Sequence, residues 1–520
     1  MTNALSPSMP RLLAALALLL VFGLASRPAL AEPPHSKGES VKRQQADNDD
    51  ADDKDDGKKR PDKDATPRPI RALRADLDRI LSAKAVGKAL VGVHVIDLAT
   101  GESLYEKGAD RPLNPASNIK LVTTAAVLDH FGPDFTYTTE LWAASPKDRA
   151  IEGDLVLTGN GDPFLLWGHL LEMAERVRRK GVREVTGDLV VDDTAFDDQM
   201  LPPAFEQKNE DATYRATVSA LAANFSYVTV IIRPGEVGKK PEVSFDPPGD
   251  YAIVENNATT VKDAKEAKGN ALRLESVPDG DRTRFVLAGK TFPGGGATVN
   301  KRIHNPSLFT GYLMKEALDT VGVKVKGKVR RSSKPSGLTV LARHNSYTLP
   351  YLVAAMQKWS NNFMAEMLFK SLDLGDDPAT FAGAADKVLA FLDKAGVDKK
   401  GLKITNGSGL YDANALSPRQ FTSILRYMQA RPDLLPEFEA SFAIAGVDGT
   451  LARRMKHTPA EGALRAKTGT LNGVSTLTGF VQTKSGRHLA YSILFNNGPG
   501  GAWPYRKMQD EIGARLVVVE

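Results

Sequence analysis

The chain has 520 residues, no cysteine, 68 Lys and Arg against 63 Asp and Glu, and 42% hydrophobic residues. That length exceeds one core and calls for about two or three domains. The missing cysteines exclude disulfides, thiolate metal sites and cysteine lipidation, and a net charge of +5 without basic segments interleaved with aromatics gives nucleic-acid binding no support.

At the N-terminus, Arg11, an apolar run over residues 12–25 and the small-x-small site Ala29-Leu30-Ala31 read as a signal peptide over residues 1–31. The run is too short to span a bilayer, and no later stretch is long enough, so the expectation is a secreted, periplasmic protein without a membrane span once the signal is removed. Residues 32–69 carry 9 Lys and Arg and 11 Asp and Glu with no aromatic side chain, which reads as a disordered charged linker.

Ile70, Leu73, Leu77, Ile80 and Leu81 lie on one stripe and predict a helix. A strand over 89–98 should turn at Ala99-Thr100-Gly101-Glu102 into a second over 103–106, a hairpin that opens a sheet. Next comes Pro115-Ala116-Ser117-Asn118-Ile119-Lys120-Leu121-Val122, a helix start with Leu121, Ala125 and Leu128 recurring behind it. Lys120 falls one turn after Ser117 on the same face. A serine hydroxyl needs a base, and a lysine can be that base only if burial or a second cation lowers its pKa. Taken alone, the pair also fits an N-cap serine with a solvent-facing lysine.

From 143 to 342 the texture changes to short strands, at 153–158, 187–191, 227–233 and 284–288, with helical stripes over 165–180 and 306–320. This reads as an inserted α/β region enclosing a smaller β-rich subdomain at 226–290. Residues 262–268 and Gly294-Gly295-Gly296 read as surface loops; the glycines lack the helix start with Lys-Ser/Thr that phosphate cradling requires. Leu349, Leu352, Val353 and Met356 predict a helix ending near Ser360, and Phe363, Met364, Met367 and Leu368 another beginning there. Lys467-Thr468-Gly469 opens a run of strands over 478–483 and 489–495 joined by the turn Lys484-Ser485-Gly486-Arg487, and a last helix is expected over 505–516.

Three short motifs occur once each and in order: Ser117-x-x-Lys120, Ser360-x-Asn362 and Lys467-Thr468-Gly469. This set resembles penicillin-binding proteins and serine β-lactamases. The first gap is more than twice the second, so a whole domain must sit inside it. That layout resembles the class C low-molecular-mass penicillin-binding proteins, the D-alanyl-D-alanine carboxypeptidase/endopeptidases. Gly159-Asn160-Gly161-Asp162-Pro163, Asn406-Gly407-Ser408-Gly409-Leu410 and Ala445-Gly446-Val447-Asp448-Gly449-Thr450-Leu451 extend the likeness, which runs from about residue 70 to the C-terminus and is thinnest over 224–300.

The resemblance implies an α/β (α+β) fold, a penicillin-recognising, β-lactamase-like catalytic domain whose antiparallel sheet is flanked by helices, in two parts at 70–142 and 343–520. It implies peptidoglycan peptide stems and β-lactams as partners and no cofactor or metal. Ser117 would attack the carbonyl between two D-alanines and form an acyl-serine intermediate, with Lys120 as base. Ser360 would relay a proton to the leaving amine, and Asn362 would hold Lys120 and the substrate. Backbone N–H groups of Ser117 and Thr470 would hold the oxyanion, and Lys467, Thr468 and Thr470 a terminal carboxylate. Gly469 would keep a β-carbon out of the substrate's path. Asp211 and Tyr214 would reach over the stem pocket, Asp211 toward a cationic diamino acid. The rivals are a serine β-lactamase and a non-catalytic β-lactam or wall-binding protein. Zinc and Ser-His-Asp hydrolases lose support, because no H-E-x-x-H occurs and Gly407-Ser408-Gly409 lacks the nucleophile-elbow spacing.

Overall fold

The computed structural model describes residues 67–499 and 501–520, so the signal-peptide reading and nearly all of the charged linker lie outside the described residues. The linker as read runs slightly too far. The helix Arg68–Leu81 already includes its last two residues, with proline accepted in the first turn, where no backbone N–H is needed. This helix buries Ile70, Leu73, Leu77, Ile80 and Leu81, the stripe expected.

The strands Leu90–Asp97 and Ser103–Lys107 pair as the expected hairpin. They complete a six-stranded antiparallel sheet with Ala443–Ile444, Leu464–Leu471, Val474–Gln482 and His488–Asn496. Leu90–Asp97 bonds along its whole length to His488–Asn496, so distant parts of the sequence close one sheet. Alternation along His488–Asn496 sends Leu489, Tyr491, Ile493 and Phe495 to a face covered by Arg68–Leu81 and Trp503–Val517. Ala490 and Leu494 face the opposite layer, which is helical. At the centre of that layer lies the helix Ile119–Phe131, buried continuously from Ile119 to Leu128 and therefore apolar nearly all round.

The insertion contains a five-stranded sheet, in the order Val329–Arg331, Leu189–Asp192, Leu155–Gly159, Thr138–Ala143 and Thr339–Asn345. Helices Trp167–Arg179 and Pro306–Thr320 share its core. Its first and last strands in the chain, Thr138–Ala143 and Thr339–Asn345, pair with each other. The insertion thus begins before 143 and ends after 342, because the chain leaves and returns along one hydrogen-bonded strand pair. The β-rich part holds two three-stranded sheets, and one includes Ala297–Arg302, so it extends past 290. Within 262–268 the chain makes a helical turn, Ala264–Ala267, capped by Asp263, whose carboxylate accepts from the N–H groups of Lys265 and Glu266. No helix among the described residues is long and apolar enough to cross a membrane.

Candidate active site

Ser117 lies in a tight turn, Ala116–Asn118, that runs directly into the buried helix Ile119–Phe131. Side chains of the central sheet hold this turn. Thr476 Oγ1 donates to the Pro115 carbonyl at 2.9 Å, Asn118 Nδ2 donates to Thr478 Oγ1 at 2.7 Å, and Asn496 Oδ1 accepts from Asn114 N at 2.7 Å. Two glycines let the backbone come this close. A β-carbon on Gly469 would lie 2.1 Å from Thr476 Oγ1 and 3.0 Å from Ser117 N, and one on Gly409 would lie 1.9 Å from the Ala116 carbonyl oxygen. A β-carbon at Gly469 would thus crowd Thr476 and the turn that carries Ser117, a constraint additional to the one expected.

Ser360 and Asn362 sit at the helix junction that their flanking apolar stripes predict. The helix Leu349–Trp359 stops at Ser360, which adopts a left-handed conformation with φ 54°, and Asn361 caps the next helix, Asn362–Ser371, by accepting from Met364 N. This turn aims both motif side chains at the two lysines. Lys120 has no exposed surface. Its Nζ donates to Ser117 Oγ at 3.1 Å, Asn362 Oδ1 at 2.8 Å and the Ser408 carbonyl at 2.7 Å. Lys467 Nζ donates to Ser360 Oγ and to the Thr468 carbonyl, both at 2.8 Å.

Burial pulls the Lys120 pKa down to about 7, with the Glu366 carboxylate acting in the opposite sense. Burial also lowers Lys467 well below its ordinary value, and the neighbouring Lys120 charge adds to that. Two ammonium groups buried side by side disfavour each other, so the site favours loss of a proton from the pair.

Glu366 is a residue that sequence reasoning missed. It is fully buried and its carboxylate accepts from Gly407 N at 3.0 Å and Ser408 N at 2.8 Å, which sets the Ser408 carbonyl against Lys120. Burial raises its pKa, and these hydrogen bonds and Lys120 oppose the rise. The signal was present: Glu366 is the only acid in the run Phe363-Met364-Ala365-Glu366-Met367-Leu368-Phe369, one helical turn after Asn362.

The strand Leu464–Leu471 bonds to Val474–Gln482 on one side, while on the other Ala443–Ile444 covers only Ala466 and Arg465. Among the described residues no strand pairs with the edge from Lys467 to Leu471. Thr468 Oγ1 donates to Thr450 Oγ1 at 2.8 Å, and Arg506 donates to Thr470 Oγ1 at 3.0 Å. Arg506 thus brings a cation to the strand edge, a contribution no motif signalled.

The insertion reaches the site. A pocket of about 180 Å³ is lined by Thr213, Tyr214, Phe225 and Tyr227 together with Ser360 and Asn362. Tyr214 contributes its carbonyl, which accepts from Asn362 Nδ2 at 3.0 Å, while its hydroxyl donates to Glu210. Asp211, expected to reach a cationic diamino acid, already has partners within the insertion. Its Oδ2 accepts from Lys301 Nζ at 2.5 Å and from Ser276 N at 3.1 Å, although neither bond uses Oδ1.

The D-Ala-D-Ala carboxypeptidase 3 (S13) family matches over residues 73–516. A D-alanyl-D-alanine carboxypeptidase of Actinomadura sp. (strain R39) is 37% identical over 472 residues, covering 87% of this chain and 86% of that protein. The D-alanyl-D-alanine carboxypeptidase DacB of Haemophilus influenzae is 29% identical over 405 residues, covering 74% of this chain and 80% of that protein. In three dimensions, penicillin binding protein 4 (dacB) from Haemophilus influenzae superposes with a TM-score of 0.74 at 22% identity, over 85% of this chain and 99% of that one.

Proposed function

The chain belongs to the D-Ala-D-Ala carboxypeptidase 3 (S13) family, and from that premise we propose how its residues act as a serine-type DD-peptidase of peptidoglycan. The observation that carries the reading is Lys120: fully buried, 3.1 Å from Ser117 Oγ, with a pKa drawn to about 7. Its neutral amine takes the serine proton as Ser117 attacks the carbonyl of the penultimate D-alanine. The terminal carboxylate settles at the strand edge near Lys467, Thr468 and Thr470. A negative charge there favours the proton on Lys467 and leaves Lys120 neutral, so substrate binding itself prepares the base.

The N–H groups of Ser117 and Thr470 receive the oxyanion, in support of which Ser117 N packs against Gly469, the residue next to Thr470. Ser360 passes its hydroxyl proton to the departing amine and is reprotonated by Lys467 Nζ, which donates to its Oγ; D-alanine leaves, and water hydrolyses the ester. Asn362 holds Lys120 through Oδ1 and meets the peptide beside the Tyr214 carbonyl. Asp211 offers Oδ1 to a cationic group of the stem, sharing the carboxylate with Lys301. The same open edge accepts a stem whose D-alanine is linked to a diamino acid, which gives endopeptidase cleavage of cross-links. A peptidoglycan substrate lies outside the cytoplasm, which supports the reading of a secreted, periplasmic enzyme.

Incubation of the purified protein with defined muropeptides tests this. Pentapeptide stems should lose one D-alanine and cross-linked dimers should separate into monomers, both read by mass. Intact pentapeptide with rapid turnover of penicillin would instead favour a β-lactamase.

A further inference from the structure

Three large aromatic side chains are exposed in one patch: Tyr347 at 46%, Tyr351 at 41% and Trp359 at 45%. One buried ring, Phe164, gathers them, with centroid distances of 5.7, 5.6 and 6.0 Å respectively. Tyr347 and Tyr351 also lie 4.2 Å apart with their planes 30° from parallel. A single exposed aromatic needs no explanation, but three on a common support form a patch of the kind that receives a ligand.

Continuity at both ends indicates what covers it. Trp359 directly precedes Ser360, and Phe225, which lines the pocket beside Ser360, packs edge-on against Phe164 at 5.5 Å. At the far end Tyr347 meets His169 at 6.2 Å, and His169 stacks on His344 at 4.3 Å. Both histidines line an open cavity of about 550 Å³ with Glu172, Arg176 and Arg343 at its rim, a volume in the range of small-ligand sites. His344 Nε2 is buried behind that cavity, 3.5 Å from the Asp162 carboxylate, which fixes the ring that lines it.

Flat ring faces beside polar groups suit a pyranose, whose C–H face stacks on an aromatic ring while its hydroxyl and acetamido groups seek hydrogen bonds at the edge. The peptide stems assigned to the cleft are carried on a polymer of N-acetylated amino sugars. We propose that the Tyr347, Tyr351 and Trp359 platform and the adjoining His169–His344 cavity bind this amino-sugar chain next to the stem being cut. The proposal rests on the peptidoglycan reading above.

The test compares the wild type with the Tyr347→Ala/Tyr351→Ala double variant on a pentapeptide with and without its attached disaccharide. Losing two stacking rings should raise KM for the disaccharide-bearing peptide about tenfold. KM for the bare peptide and the rate of penicillin acylation should not change, the latter showing that the variant is folded. Independently, the peptide-free disaccharide titrated into Ser117→Ala protein should broaden its N-acetyl NMR signals, and adding the two tyrosine substitutions should abolish the broadening. Equal KM changes on both peptides, no change on either, or no disaccharide binding would overturn the proposal. A rise confined to sugar-free cross-linked stems would assign the platform to a second peptide and overturn it too. If the wild type cleaves neither peptide, the function reading fails, and the disaccharide titration alone decides this one.

Discussion

A lysine without exposed surface can keep a proton only against the cost of desolvation, and Lys120 meets that cost with three acceptors and a distant Glu366 carboxylate. It is held near the balance point, which a general base requires. Lys120→Arg keeps the charge and length but not the titration, since a guanidinium stays protonated. Acylation by penicillin should fall by roughly a hundred- to ten-thousand-fold, the usual span for removing a general base. Because the neutral amine is the active form and its pKa is about 7, the wild-type acylation rate should climb as pH rises through that value and then level off. The midpoint belongs to the Lys120–Lys467 pair. Stopped-flow acylation across pH checks both statements; a wild-type rate in the arginine variant, or a rate flat through neutrality, would place the base elsewhere.

Elements decide which residues meet. The stripes around Ser360 predicted two helices and a break, and the break is there because Ser360 turns left-handed where Leu349–Trp359 ends. The first helix was legible because one face of it is buried, which writes a period into the sequence, and the hairpin because the Ala99-Thr100-Gly101-Glu102 turn separates an apolar run, buried on both faces, from its partner strand. Partner choice between strands was not legible. Thr138–Ala143 and Thr339–Asn345 look like any short strands, and only their pairing shows that they belong to the insertion. The same limit applies to Asp211, whose neighbour Lys301 lies on Ala297–Arg302, far along the chain. If Asp211 shares its carboxylate between Lys301 and the stem as proposed, Asp211→Ala should weaken hydrolysis of stems bearing a free amine by about 1 kcal/mol, the scale for a partly exposed charge pair, and leave amine-blocked stems and penicillin unchanged. Paired kcat/KM measurements decide this; equal losses on both stems would mean that Asp211 only supports the fold through Lys301.

At the scale of the whole molecule, the catalytic centre is an assembly of segments that the insertion separates in sequence. Leu90–Asp97 and His488–Asn496 join in one sheet, the turn carrying Ser117 rests on that sheet through Thr476, Thr478 and Asn496, and the helix junction supplies Ser360 and Asn362 from the other side. The three motifs made this convergence legible, because each marks a side chain that must reach one point. What positions them was only partly legible: Glu366 stood out as a lone acid in an apolar run and Ser408 lay in a marked stretch, but that the Ser408 and Tyr214 carbonyls meet Lys120 and Asn362 is a matter of backbone geometry, which leaves no motif. The central claim is that this assembly makes Ser117 the acylated nucleophile. The most direct measurement is to treat the protein with benzylpenicillin, digest it and locate the adduct by mass spectrometry. The account predicts one intact penicilloyl group, on the peptide that carries Ser117, and none on Ser117→Ala protein of unchanged circular dichroism. An adduct on another residue, or one that persists in that variant, would contradict it.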